Sequence, residues 1–591
     1  MAKWMVAAKR ADFDQIAAKY GISPVMARLL RNRDLENDEE IQKYLYGTKE
    51  DLYDPLLMKD MTKAAAIMKE KIRQEKRIRI IGDYDVDGIC ASYLLLKGLR
   101  ALGAQVDVVI PHRMKDGYGL NDNLIRDALK AGIDTVITCD NGIAAASQIR
   151  MAKENGMTVV VTDHHEVPYE DKEGRRVYLL PPADAVIDPK QEDCNYPFKQ
   201  ICGAVVAGKL IQVLLESTGD MPQKAELQEE LLVFGALATV CDVMELRDEN
   251  RIIVKEGLKL MANTANLGLK ALLMVNGIEE RALTPYHAGF VIGPCMNASG
   301  RLDTAQRALN LFDCKEWREA VTIAGDLKNL NDSRKMMTEQ GVEEAIEQVE
   351  KAGMEKDKVL VVYLPSCHES LAGIIAGRIR ERYGKPAFVL TKGEEGIKGS
   401  GRSIECYSMY EEMTACKELF TKYGGHKMAA GLSLSDTASV DVFRRMLNEN
   451  CHLTEEDFQE VVHIDVAMPL AYVNKDFIRE LALLEPFGTG NAKPVFARKN
   501  ISLLSGRKLG KNRNVGKYKI AEAENCYEMI YFGDLERFDA FLNERFGKGR
   551  MAGLYGAGLR EGDVTISMAY YPDLNTYAGR ESVQIVMQDY C

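Results

Sequence analysis

Residues 78–92 read IRIIGDYDVDGICAS, with Asp83, Asp85 and Asp87 at alternate positions directly after an apolar run. Carboxylates packed this closely repel one another and raise each other's pKa, a cost that a cation or a set of hydrogen-bond donors must offset. A surface turn whose aspartates cap the next helix is the plainer reading. The flanking residues favour the cation. Arg77–Ile81 reads as a short buried strand, Gly82 and Gly88 permit a tight turn, and ICASYLLLKGLRAL has helical apolar spacing. The aspartates then lie at the carboxyl end of a strand in an α/β unit, where ligands bind in open parallel sheets. There is no GxxxxGK[ST] loop, and the glycine and distal glutamate of an EF-hand are misplaced.

Two further strand ends carry ligand-type residues. VITCDNG ends on Asp140, and VVVTDHHEVP on Asp163, His164 and His165. A fourth segment, LATVCDVMEL, puts Asp242 in an apolar stretch where an unpaired carboxylate is costly to bury. Oxygen donors with one or two imidazoles suit Mn2+ or Mg2+, and the absence of paired thiolates disfavours structural zinc. With this many carboxylates one can bridge two metals about 3.5–4 Å apart, the arrangement that activates water for phosphoryl chemistry.

A chain of 591 residues is too long for one core, so several domains must position these groups. From 77 to 245, the strand-like stretches RIRII, QVDVVIP, DTVITCD, TVVVTDHH and DAVID alternate with amphipathic runs, which predicts a parallel sheet covered by helices. EAVTIAGDLKNLNDSRKMMTEQGVEEAIEQVEKAG has few turn signals and predicts a long connecting helix. A second α/β pattern begins at DKVLVVYLP, and from about 456 short strand-like pieces spaced by Gly, Asn and Asp predict a small β-barrel. No apolar run reaches the length of a membrane span, and MAKWMVAAKRADFD turns polar too early for a secretory signal, so a cytoplasmic location is expected. The 13 cysteines include no CxxC pair, which argues against a disulfide framework and a zinc ribbon. The net charge of −11 does not by itself point to nucleic acid, although local basic patches can still bind phosphate.

GDYDVDG, CDNG, DHH and ATVCDV stand in the order of the four motifs of the DHH phosphoesterases, and the chain resembles the single-strand-specific exonucleases of that family from about Tyr53 onward. The resemblance implies an α/β protein with a parallel-sheet DHH domain (53–300), a helical connector (301–355), a smaller α/β DHH-associated domain (356–455) and a C-terminal OB-fold β-barrel (456–591), preceded by a helical segment (1–52). It implies that Asp85 and Asp87 bind different metals, that Asp140 bridges them, and that His164 and Asp242 complete one site. Asp83 is either a ligand or an orienting group, and His165 touches the scissile phosphate. Ile81 departs from the family pattern, in which many members carry a histidine four residues before the aspartate matching Asp85. One site is then completed by water or by Asp83.

An exonuclease must measure its distance from an end, and arginine forks bind phosphate oxygens in pairs. IPHRMKDGYG offers Arg113, MNASGRLDTA offers Arg301, and KGSGRS offers Ser400 and Arg402, each of which is otherwise an ordinary surface residue. By the resemblance these form a pocket for a 5′-phosphate. YGGHKMAAG is similar to the glycine–histidine motif of the DHH-associated domain, placing Gly424, Gly425 and His426 at the substrate; the alternative is a tight turn. His368 is a comparable candidate, or a helix-start residue near solvent. From Lys493 to Lys519 the chain has nine basic residues and no acid, among them Lys508, Lys511 and Arg513, with Tyr518, Tyr527, Tyr531 and Phe532 at hand. Cationic grooves with aromatic platforms are how OB-folds hold single strands.

The expected activity is a 5′→3′ exonuclease on single-stranded DNA that uses two divalent cations and releases 5′-mononucleotides, in DNA repair and recombination. A helicase and a single-strand-binding protein are the expected partners, with no membrane. Two rivals are a small-substrate DHH enzyme acting on short oligonucleotides or polyphosphate, and a silent binding module. The first lacks a use for the basic barrel, and the second a reason to keep repelling carboxylates.

Overall fold

The computed structural model describes residues 2–113, 119–172, 174–219, 221–393, 396–435, 439–577 and 579–591. They form two units: residues 47–458 with 488–490, and residues 1–46 with 459–487 and 491–591.

The first unit is built on a parallel sheet of β1 (Arg77–Ile81), β2 (Gln105–Val109), β3 (Thr135–Cys139), β4 (Thr158–Thr162) and β5 (Ala185–Ile187), in the order β2-β1-β3-β4-β5. TVITC is buried at every position, as expected of a parallel strand covered on both faces. The covering helices include α1 (Val86–Ala101), α2 (Gly203–Glu216) and α3 (Lys224–Cys241), which share one core with the sheet through Leu95, Ile137, Leu210 and Phe234. After β1 the chain goes first to one side, as β2, and then to the other, as β3. The crevice between β1 and β3 is therefore the switch point of the sheet, and Asp83 and Asp140 flank it.

Beyond α4 (Gly293–Leu302), the predicted connector is a single 35-residue helix, α5 (Trp317–Lys351), about 50 Å long. It leads to a second sheet of β6 (Leu360–Tyr363), β7 (Ala387–Gly393), β8 (Gly396–Arg402), β9 (Phe420–Gly425) and β10 (Ala429–Leu434), ordered β9-β10-β8-β7-β6. Only β6 and β7 run parallel. Helix α6 (Ala372–Tyr383) links those two strands.

In the second unit β11 (Phe496–Leu509), β12 (Val515–Glu522), β13 (Asn525–Tyr531), β14 (Thr565–Tyr577) and β15 (Arg580–Tyr590) close a barrel, because β11 pairs with β14 as well as with β12. Phe496, Tyr518, Tyr570 and Ile585 fill it. The segment 1–52, expected to be helical, has helices at Phe13–Tyr20, Pro24–Asn32 and Asp38–Tyr46, but it opens with a strand, Lys3–Val6, paired in parallel with Val461–Ile464, and its residues 1–46 belong to the barrel's unit. Met26, Leu29 and Leu30 join the barrel's own core.

Candidate metal centre and strand-end pocket

At the end of β1, Asp83 is fully buried, and the helix that follows begins at once: Asp85 is its N-cap, accepting from the Gly88 amide at 3.0 Å. A Cβ on Gly88 would sit 2.6 Å from the Asp83 backbone nitrogen, so a side chain there would push the helix off the strand end. Asp87, the second residue of that helix, accepts from the amides of Gly203 (2.6 Å) and Ala204 (2.7 Å). These are the first amides of α2, whose positive dipole end favours a carboxylate. Asp87 is thereby fixed without a cationic side chain.

Asp140 follows β3 with φ +60°, a backbone conformation uncommon outside glycine. Its Oδ1 lies 3.0 Å from His164 Nε2, which is also 3.5 Å from Asp87 and 3.7 Å from Asp242. Asp242 stands at the C-terminal cap of α3, partly open to solvent, so it ends an apolar helix and does not sit within it. Three groups gather ligand atoms within 4.8 Å of one another: Asp83, Asp85 and Asp140; Asp87, His164 and Asp242; and Asp140, His164 and His165. Asp163, adjacent to both histidines, belongs to none of these groups. Its oxygens accept from the amides of Ile143, His164 and His165 and from His165 Nδ1 at 2.8 Å.

The electrostatics match this division. Burial, then Asp85, pushes Asp83 up to about 7; burial, then Asp87, pushes Asp242 up to about 8. Asp85 rises through burial and Asp87, and Asp140 rises far above the carboxylate range through burial and its acidic neighbours. Burial lowers His164. Burial is the largest single influence on His165 and opposes its charge, but the Asp163 hydrogen bond together with the charges of Asp163, Asp242 and Asp87 raises the imidazole to about 9. Among the described residues no donor of good geometry reaches either oxygen of Asp83, Oδ1 of Asp140 or either ring nitrogen of His164. Buried oxygens and imidazole nitrogens left without donors, with Asp83, Asp85, Asp140 and Asp242 held above the ordinary carboxylate pKa, fit a pair of divalent cations.

The arginines converge as well. Arg301, on α4, donates to the Ser370 carbonyl at 2.6 Å, and Arg402 donates to Ser400 Oγ at 3.0 Å. Arg113 lies 4.9 Å over the Tyr84 ring. Burial lowers Arg301 to about 10, helped by the charges of Arg113, Arg334 and Arg402. Arg334 projects from α5 and has no motif around it to mark it in the sequence. Beside the cluster is a cavity of about 490 Å³ lined by Tyr84, Arg113, Ser370, Lys398, Lys422 and Gly424. Of the glycine–histidine motif, Gly424 lines this cavity, Gly425 supplies φ +146° at the β9–β10 turn, and His426 is exposed in that turn with its amide on the Ala429 carbonyl. His368 caps the short turn before α6.

On the barrel, strand alternation sorts the basic run. Arg507 and Lys519 line a cavity of about 500 Å³ with Lys517, Tyr527 and Glu528. Lys508 points to the opposite face, where its ammonium meets Asp539 at 2.6 Å, so it differs from the groove residue expected. Lys511 and Arg513 are exposed in the β11–β12 turn. Tyr518 and Tyr531, expected as platforms, are buried against Phe538; Tyr527 and Phe532 remain accessible.

Comparison with known proteins agrees with this layout. The chain matches the DHH family, N-terminal domain, over 77–239, the DHHA1 domain over 356–453 and the RecJ OB domain over 464–589. It is 36% identical to the single-stranded-DNA-specific exonuclease RecJ of Bacillus subtilis (strain 168) over 90% of its own length and 66% of that protein's. It is 32% identical to the Dickeya dadantii (strain 3937) enzyme of the same name over 95% of both. A crystal structure of RecJ in complex with Mn2+ from Thermus thermophilus superposes with a TM-score of 0.79 at 27% identity, covering 100% of this chain and 79% of the other.

Proposed function

Because the chain belongs to the RecJ family of single-stranded-DNA-specific exonucleases, we propose that it removes nucleotides one at a time from the 5′ end of single-stranded DNA. The observation that carries this reading is the gathering of ligand groups sharing Asp140 and His164 in the same unit as an arginine cluster. Asp83, Asp85 and Asp140 would hold one cation and Asp87, His164 and Asp242 the other, with Asp140 placed to serve both. When bound, a pair of Mn2+ or Mg2+ ions neutralises the phosphodiester and supplies a nucleophile from water at neutral pH.

The chain's own residues do the rest. Asp87, fixed by the α2 amides, holds its carboxylate in one orientation. His165, oriented by its Nδ1 contact to Asp163, faces the scissile phosphate. Arg113, Arg301, Arg402 and Ser400 take the terminal phosphate, and Arg334 adds a further charge. Anchoring that phosphate fixes the cut one nucleotide in, so the product is a 5′-mononucleotide. Lys511 and Arg513, with Arg507 and Lys519, hold a more distant part of the strand by contacts to its phosphates.

In this reading 53–300 is the phosphoesterase domain, 301–355 the connector, 356–455 the DHH-associated domain and 456–591 the single-strand-binding domain, completed by residues 1–46 of the N-terminal segment 1–52. An enzyme confined to unpaired strand needs duplex opened and kept open, which makes a helicase and a single-strand-binding protein its partners in repair and recombination. Among the described residues no helix is long and apolar enough to cross a membrane, and cytoplasmic action fits the substrate.

Digestion of 5′- and 3′-labelled single- and double-stranded DNA with Mn2+ tests the proposal. The 5′ label is expected to leave first, as a mononucleotide, from single strands alone. Release of the 3′ label first, or equal attack on blunt duplex, would overturn it.

A further inference from the structure

Tyr286 and Phe290 are among the most exposed large apolar side chains described, at 63% and 68%, and their rings stack on each other at 5.3 Å and 20°. They lie on the segment that runs through Pro285–His287 and the π-helical turn Ala288–Ile292 straight into α4, the helix that carries Arg301. π-turns inside helices occur often at functional sites. The inner side of this segment is packed on the end of α3: Cys241 Sγ is 3.5 Å from the Ala288 carbonyl, and Gly289 and Gly293 lie against Val240 and Cys241. The next residue is Asp242, and after it comes Val243, 66% exposed with φ +58°. A stacked aromatic pair therefore stands in water on the element that joins the helix ending at Asp242 to the helix carrying Arg301. Isolated apolar side chains on a surface need no explanation, but a pre-stacked pair continuous with a site does.

We propose that Tyr286 and Phe290 form a platform on which unpaired bases of the DNA strand stack next to the metal centre. The pair already presents a fixed π-face, so little side-chain freedom is lost on binding. Stacking is indifferent to base identity and unavailable to bases still paired in a duplex, so the platform contributes to single-strand preference without reading sequence. The proposal rests on the exonuclease reading and adds a positioning role to residues that no sequence motif marks.

The test compares wild type, Tyr286→Ala/Phe290→Ala and Phe290→Tyr on a single strand in Mn2+, and on a series of strands each carrying one abasic nucleotide among the first six from the 5′ end. The double variant should raise KM on the order of tenfold, the size of a lost base–aromatic stack, with kcat little changed. Phe290→Tyr should restore the wild-type KM. At one or two abasic positions the wild type should lose its advantage, so that both proteins give the same KM. A parallel binding arm uses 2-aminopurine strands in EDTA. If wild type fails to cut at all but the alanine variant still loses quenching, the exonuclease reading falls and the platform stands. An unchanged KM and unchanged quenching, or a KM rise that persists in full at every abasic position, would overturn the platform and leave the aromatic pair to a protein partner.

Discussion

Gly203 is wedged between two acids. Its amide donates to Asp87 at 2.6 Å, and a Cβ on it would come within 2.7 Å of the Asp140 Cβ and 2.9 Å of its Oδ1. The first turn of α2 thus sets the spacing between a residue proposed to hold one cation and the residue proposed to bridge both. Gly203→Ala should move Asp140 by a substantial fraction of an ångström and lower kcat on the order of a hundredfold, the scale on which small misplacements act. Circular dichroism and single-strand affinity should stay near wild type. A variant with wild-type kcat would show that the spacing has slack.

Metal removal should expose the cost of the acidic cluster. Asp83 and Asp242 have folded-state values of about 7 and 8 against 3.8 for the free side chain, and Asp85 and Asp140 are also raised. The folded protein then holds protons that the unfolded chain releases, so this contribution to stability is complete below pH 4 and is lost as pH rises through about 8. In EDTA, Tm should fall between pH 5 and 8, Mn2+ should restore more at pH 8 than at pH 5, and Asp140→Asn should have a shallower slope. The same variant should lose at least about a hundredfold in kcat while retaining its affinity for single strands. A Tm in EDTA that rises over this range would contradict the sign.

At the strand end, the four arginines predict that 5′-phosphorylated DNA is cut faster than 5′-hydroxyl DNA. Arg301→Ala should shrink that preference on the order of tenfold, as the loss of a charge-assisted pair does. Arg334→Gln should reduce it less, through charge alone. Equal rates on both ends in the wild type would remove the pocket from the mechanism.

The barrel separates its lysines by strand face. Neutralising Lys511 and Arg513 should flatten the salt dependence of binding to long single strands by roughly 0.7 per residue in the log–log slope. Lys508→Gln should leave that slope alone and lower Tm, because Asp539 loses its partner while Tyr555 still donates to it at 2.6 Å. A flattened slope for Lys508→Gln would return it to the groove.

Local signals were enough for much of this. The apolar runs of β1, β3 and β4 and the aspartates and histidines that end them are contiguous in the chain, so strand and ligand could be read together. What escaped is what only the folded chain brings together. Nothing in CGAVV says that its amides seat Asp87, because that contact spans 116 positions. Asp163 looks like a ligand beside two histidines until its four donors are seen. Arg507 and Lys508 are adjacent basic residues in one run, and only the fold shows that they occupy opposite sides of a pleat. The N-terminal helices have ordinary amphipathic faces, and no sequence pattern names a partner more than 400 residues away.

That last separation bears on how the protein is made. The unit formed by residues 47–458 has its parts in one continuous run, apart from 488–490, and can begin folding as it leaves the ribosome. Met26, Leu29 and Leu30 cannot be covered until the residues beyond 459 exist. At 5–20 residues per second the wait is roughly 20 to 90 s, during which the apolar face of the first helices stays open to the cell. A nascent chain held in this state exposes apolar surface of the kind that chaperones cover, and truncation anywhere in the barrel should leave the amino terminus, not the new carboxyl terminus alone, as the first site of proteolysis.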